Sequence, residues 1–233
     1  RLHPGYRRIY IDLPGMGRSK APLKEASSDK ILEILTSMIE ELVKEPFLLV
    51  GESYGGYLSR GILASHLSAY IDGIMLICPV VKPEHSTRRV PNGAVRLVDE
   101  AFLNQLSGKD REGFEGDAVV VDSFTYERYQ REIVPGLEMG EEAFLKKLES
   151  SYAFSFDVDE RIRGQKYEKP VLFLTGRQDT CVGYEDLWSL LEDYPRATFA
   201  VLDLAGHNLQ IEQPNLFESL ADDWIRRTEK KVL

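Results

Sequence analysis

The sequence predicts an α/β protein: a mostly parallel sheet with helices on both faces, carrying one helical insertion. Three observations predict it. Short apolar runs alternate with amphipathic stretches along both flanks, residues 1–80 and 170–233. Several runs are continuously apolar, as strands covered on both faces are. The middle, residues 81–169, is charged and aromatic and holds no comparable run. A chain of 233 residues has room for one domain with an insertion, at roughly 150 residues per domain. Residues 1–80 and 170–233 therefore read as the core, and 81–169 as a helical insertion.

The elements follow in order. Residues 8–12 (RIYID) are β-branched and aromatic, ended by Pro14 and Gly15, and predict a strand. Residues 28–44 set Ile31, Leu35, Met38 and Leu42 on one helical face, with Ser28 as the N-cap. Residues 47–50 (FLLV) predict a strand buried on both faces. A helix over 54–69 follows, then a buried strand over 71–78 (IDGIMLIC) stopped by Pro79. Beyond the insertion come a strand at 171–175, a helix at 184–193 and a strand at 198–202. A helix over 214–227 closes the chain, with Pro214 suited to its first turn.

Composition narrows the class. Hydrophobic residues at 43% and charged residues at 29% exclude a disordered chain, a collagen-like repeat and a disulfide scaffold. The net charge of −9, with no dense Lys/Arg block, argues against a nucleic-acid partner. No apolar run reaches the length of a membrane span, so no membrane partner is expected. Cys78 and Cys181 can form at most one disulfide and are expected as two unpaired buried thiols. That usage suits a reducing compartment, and the expected location is cytoplasmic. The first residue is Arg1, which leaves the start of the gene product, and any signal peptide, open.

Chemistry concentrates where predicted strands end. Gly51-Glu52-Ser53-Tyr54-Gly55 directly follows the FLLV strand and precedes a helix. A G-x-S-x-G turn in that context presents its serine hydroxyl above the sheet edge. Side chains at 51 or 55 are expected to collide with neighbouring backbone, and Gly56 to permit close helix packing. The bland reading, a glycine-rich turn with a capping serine, explains less of the context. Ser53 needs a base. Of the four histidines, only His207 follows a predicted strand; His3, His66 and His85 read as surface or packing residues. His207 in turn needs a carboxylate to orient it. Asp179 follows the 171–175 strand, so it lies on the same edge of a parallel sheet. Glu84 ranks below it because it lies inside the insertion, and Asp203 because it is too near His207 in sequence. Gly15-Met16-Gly17 lacks the third glycine of a dinucleotide fingerprint, since position 20 is Lys. No phosphate-binding G-x-x-x-x-G-K-[ST] and no metal-ligand spacing occurs, so no cofactor and no metal are expected.

These residues resemble the α/β-hydrolase family, in particular small serine hydrolases with a helical cap, the esterase and proline iminopeptidase-like group. The matching pieces are Asp12-Leu13-Pro14-Gly15-Met16-Gly17-Arg18-Ser19, the turn at Gly51 to Gly56, the block 170–179 and the block 206–214. The resemblance implies a triad of Ser53, Asp179 and His207 in the chain order Ser, Asp, His. It implies an oxyanion donor at the Tyr54 backbone N–H, and residues 81–169 as a cap over a small-molecule substrate. The expected reaction is hydrolysis of a small ester or related acyl substrate through an acyl-enzyme. An aminopeptidase of the N-terminal proline type, a C–C bond hydrolase or an acyltransferase on the same triad are alternatives, and a non-catalytic ligand receptor is another. Family members begin with further strands and a His-Gly-type loop that donates the second oxyanion N–H. His3-Pro4-Gly5 is too close to the 8–12 strand to be that loop. The first strands of the sheet are therefore expected to be missing from the 233 residues, which are not expected to fold stably or turn over substrate alone.

Overall fold

The computed structural model describes residues 5–92 and 95–230, the side chains of 109 and 110 excepted. His3 lies outside the described residues. Four strands form one sheet: β1 (Phe47–Glu52), β2 (Ile71–Ile77), β5 (Val171–Gly176) and β6 (Ala197–Leu202), in the order β1-β2-β5-β6, with every pair parallel. Every residue of β5 is buried, and so is all of β2 except Asp72. Both faces of the sheet's centre are therefore covered, which is what continuous apolar runs require. Strand β1 corrects an expectation. It was expected to be buried on both faces, but it lies at the edge and is mostly half-buried, with Val50 exposed. An edge strand keeps one flank open to solvent even when its sequence reads as interior.

Helices fill the crossovers. Helix α1 (Ser28–Leu42) buries Ile31, Leu35 and Ile39 and packs on α2 (Ser53–Leu63), which rests on β1 and β2. Its N-cap is Ser27, not Ser28; the Ser27 side chain accepts from the Lys30 N–H, while Ser28 Oγ donates to Tyr152 O. The helix expected over 54–69 stops at Leu63. A 3₁₀ turn (His66–Tyr70) follows, because Ser65 Oγ accepts the Leu67 N–H and redirects the chain. The stretch expected as one helix at 184–193 is α9 (Glu185–Trp188) and a 3₁₀ turn (Leu191–Asp193). A four-residue helix, α10 (Leu209–Glu212), precedes α11 (Pro214–Glu229), whose Trp224 and Thr228 close on Gly73 of β2.

The strand expected at 8–12 is not formed: these residues have no regular structure, and Ile9 and Tyr10 are exposed. β-branched composition favours a strand only where a neighbour offers a ladder and a packed face. No described strand runs beside this segment.

The insertion carries α3 (Glu100–Leu103), α4 (Gly108–Asp117), α5 (Ser123–Glu132), α6 (Val134–Glu138), α7 (Glu142–Glu149) and α8 (Val158–Gln165). It also holds two paired two-residue strands, β3 (Leu97–Val98) and β4 (Val120–Val121); β4 lies in the apolar run 118–121 (AVVV), which corrects the expectation that 81–169 holds no comparable run. A small cluster of Leu103, Phe114, Ala118, Val121 and Tyr129 packs within the insertion. Phe144, Leu148, Phe154, Val158 and Ile162 instead join the core of the sheet.

Candidate active site

In a parallel sheet the carboxyl ends of all strands meet along one edge. Ser53 follows β1, Cys78 follows β2, Asp179 lies three residues past β5, and His207 lies past β6. Three of the non-glycine residues with positive φ fall on this edge: Ser53 at 51°, Cys78 at 40° and Leu204 at 49°. Such conformations cost on the order of 1–3 kcal/mol each and persist where the surroundings over-determine them.

Packing over-determines Ser53. A Cβ at Gly51 would collide with Ser59 Oγ and the Gly55 carbonyl, and one at Gly56 would lie 2.6 Å from Pro79 Cβ. The strand-to-helix turn is thus closed from both sides. Gly55 departs from expectation: an added Cβ there meets nothing within 4 Å. It faces open space, so steric exclusion does not account for that glycine. The Val80 N–H donates to the Ser53 carbonyl at 3.0 Å, anchoring the turn to the segment after β2. Ser53 opens α2, so the Tyr54 N–H belongs to the first turn, whose donors lack intrahelical partners. The Tyr54 side chain is engaged elsewhere. Its hydroxyl is 3.0 Å from Ser28 Oγ, its ring lies tilted against Tyr152 with centroids 4.7 Å apart, and burial pushes its pKa up to about 12.

Asp179 and His207 are brought together. His207 Nδ1 lies 3.0 Å from Asp179 Oδ2. Asp179 is fully buried, and its other oxygen accepts the N–H groups of Cys181 (2.8 Å) and Val182 (3.0 Å). Burial opposes the charge on Asp179, but the His207 hydrogen bond and charge and the two N–H groups outweigh it and hold its pKa below the usual carboxylate value. Burial likewise opposes a charged His207. The bond to Asp179, that carboxylate's charge, and then Glu52 and Asp117 outweigh it and raise the imidazole above its ordinary value. With Nδ1–H donated to Asp179, Nε2 is left as the acceptor nitrogen. Among the described residues no hydrogen bond joins Ser53 Oγ to His207.

The remaining candidates fall away. Glu84 is exposed in the insertion, and Asp203 is exposed and accepts from Gln178 Nε2 at 2.8 Å. His66 pairs with Glu40 on the surface and His85 is exposed.

Three residues at the site were not anticipated there. Glu52, the last residue of β1 and the one before Ser53, accepts from Gln210 Nε2 at 3.0 Å, and burial raises its pKa. Its place inside the G-x-S-x-G turn was the one available signal. Glu212 accepts backbone donors from two separate segments. Cys78 Sγ and ligand atoms of Asp179 and His207 all lie within 4.8 Å of one another. Burial, then the charge of Asp179, push the Cys78 thiol well above its ordinary value, and Sγ donates to Gly206 O at 3.6 Å. A cation there would have to displace both the thiol proton and the Asp179–His207 bond. Both cysteines are free, but Cys181 is half-buried rather than buried as expected. No helix among the described residues is long and apolar enough to cross a membrane.

Comparison with known proteins agrees with this architecture. Residues 2–214 match the family model described as alpha/beta hydrolase fold. The chain is 22% identical over 231 residues to monoacylglycerol lipase ABHD6 of Bos taurus, covering 93% of this chain and 66% of that relative. It thus spans somewhat less than two thirds of that lipase. It is 25% identical over 225 residues to the putative carbamate hydrolase RutD of Agrobacterium fabrum, covering 94% of this chain and 82% of RutD. The solved structure of an alpha/beta superfamily hydrolase from Oenococcus oeni PSU-1 superposes with a TM-score of 0.88 at 31% identity, covering 98% of this chain and 85% of that one. A strained serine turn, a buried Asp–His pair and a parallel sheet that gathers them on one edge thus occur in a chain that belongs to the alpha/beta hydrolase fold family.

Proposed function

We propose that this protein is a serine hydrolase of a small ester or related acyl substrate, with Ser53 as nucleophile, His207 as base and Asp179 as its orienting acid. The observation that carries the reading is Ser53 held at φ 51° on the same sheet edge as the Asp179–His207 pair. Ser53 Oγ attacks the substrate carbonyl while its proton passes to His207 Nε2. Asp179 keeps Nδ1–H in place and stabilises the imidazolium. The Tyr54 N–H, at the positive end of α2, donates to the developing oxyanion. Collapse of the tetrahedral intermediate breaks the ester bond, and the leaving alcohol takes the proton from His207. Water, deprotonated by the same nitrogen, then splits the acyl-enzyme and restores Ser53. Water is the only co-substrate.

Residues 81–169 act as the cap over the pocket in this reading. A row of rings, Tyr54, Tyr57, Tyr152 and Phe154, with Phe156 stacked on Phe154 at 5.0 Å, packs residues 152–156 of the insertion against α2. The names of relatives, a monoacylglycerol lipase and a putative carbamate hydrolase, support attack on an ester-type carbonyl. The test is hydrolysis by the full-length protein, of which these 233 residues are expected to be a part, of p-nitrophenyl esters of increasing acyl length, with monoacylglycerols and proline anilide beside them. Turnover of the esters is expected; turnover of the anilide alone would replace this reading with an aminopeptidase.

A further inference from the structure

The residues after His207 form a junction. Helix α10 (Leu209–Glu212) ends at a carboxylate that is only 8% exposed. No cation faces Glu212 among the described residues. Three backbone N–H groups donate to it instead. The Gly206 N–H reaches Oε2 at 2.5 Å, and the N–H groups of Val119 and Val120 reach Oε1 at 2.6 and 3.3 Å. Gly206 immediately precedes His207, whereas Val119 and Val120 belong to the insertion, 93 and 92 residues upstream of Glu212.

A second contact makes the approach close. A Cβ on Gly206 would lie 2.9 Å from Val119 Cγ2, so the insertion sits directly on the backbone before His207. Arg128 Nη1 on α5 adds a tie to the Gln210 carbonyl at 2.9 Å. Each Glu212 oxygen thus serves a different segment. Hydrogen bonds to an ionised acceptor are the strong kind, and a buried N–H deprived of its acceptor is expensive to leave unpaired.

We infer that Glu212 is a positioning residue that fixes the Gly206–His207 backbone to the Val119–Val120 segment of the insertion, and so holds the imidazole in place. The catalytic consequence rests on the hydrolase reading; the coupling itself rests on the three hydrogen bonds. Without that tie the backbone that carries His207 is freed, and the base loses its fixed position on the sheet edge it shares with Ser53.

Amide hydrogen exchange measured by NMR on the full-length protein, wild type and Glu212→Gln, tests this. The glutamine retains one carbonyl oxygen, so one segment loses its acceptor. In the wild type the Gly206, Val119 and Val120 amides should be protected. In E212Q at least one of the two segments should exchange about tenfold faster or more, while β5 amides keep their rate. With a p-nitrophenyl ester, kcat should fall about 10- to 100-fold with KM little changed, since a displaced base affects the transition state. Glu212→Asp, which keeps the charge but shortens the reach, serves if E212Q does not fold and should show the same split. Free exchange of these three amides in the wild type would overturn the inference, as would unchanged kcat in a folded variant of an active enzyme. Should the wild type hydrolyse no ester, the hydrolase reading fails while the exchange rates still decide the coupling.

Discussion

Asp179 keeps its charge without any contact with solvent, because His207 and two backbone N–H groups supply what water would. The sign of the pH dependence follows from the pair. In the proposed reaction the base must be neutral, and His207 holds its proton to a pH above the ordinary imidazole value of 6.5. The acid limb of kcat/KM for a p-nitrophenyl ester should therefore lie above pH 6.5 and fall as the pH drops through it. Asp179→Asn should lower kcat by about 10⁴-fold and move that limb toward lower pH, because the partner that favours the charged ring is gone. A limb that stays in place in the variant would contradict the pairing. The places of Ser53, Asp179 and His207 on the sheet edge were legible in the sequence because each stands past a strand end with a glycine near it. Glu52, Cys78 and Glu212 were not. Their roles depend on distances between segments far apart in the chain, and no local period or spacing records those distances.

The turn between β1 and α2 is an element whose glycines have different reasons. At Gly51 a methyl group meets the Ser59 hydroxyl and the Gly55 carbonyl; at Gly55 it meets nothing. Gly51→Ala should destabilise the fold by about 1–3 kcal/mol. Gly55→Ala should be neutral or stabilise by up to about 1 kcal/mol, as alanine does in a helix. Urea midpoints distinguish the two, and equal losses would contradict the account of the turn. Strands β2 and β5 were readable because they are central and buried, so their apolar runs are unbroken. The 8–12 segment shows the opposite case, strand composition without a described neighbour. The helices after Leu63 and Trp188 were over-extended because single serine hydroxyls, Ser65 to the Leu67 N–H and Ser189 to the Asp186 carbonyl, redirect short backbone stretches without disturbing the apolar pattern.

At the scale of the whole molecule, the main apolar cluster crosses the boundary that composition alone drew at residue 169, while a second cluster stays inside the insertion. Phe144 and Ile162, within the charged middle, are fully buried in the core of the sheet, whereas Phe114 and Tyr129 pack within the insertion. Residue type reveals how polar a segment is, not which partner it packs against, so the alternating flanks were legible and this division of the middle was not. The same long-range folding brings residues 53, 179 and 207 to one sheet edge, and the proposed chemistry stands on that convergence. Intact-mass analysis and peptide mapping of the full-length protein after a fluorophosphonate probe test it most directly. The account predicts one adduct per chain, on Ser53, and none in a Ser53→Ala variant that keeps the wild-type melting temperature. Labelling that persists in the variant, an adduct on another residue, or an unlabelled wild type would contradict it.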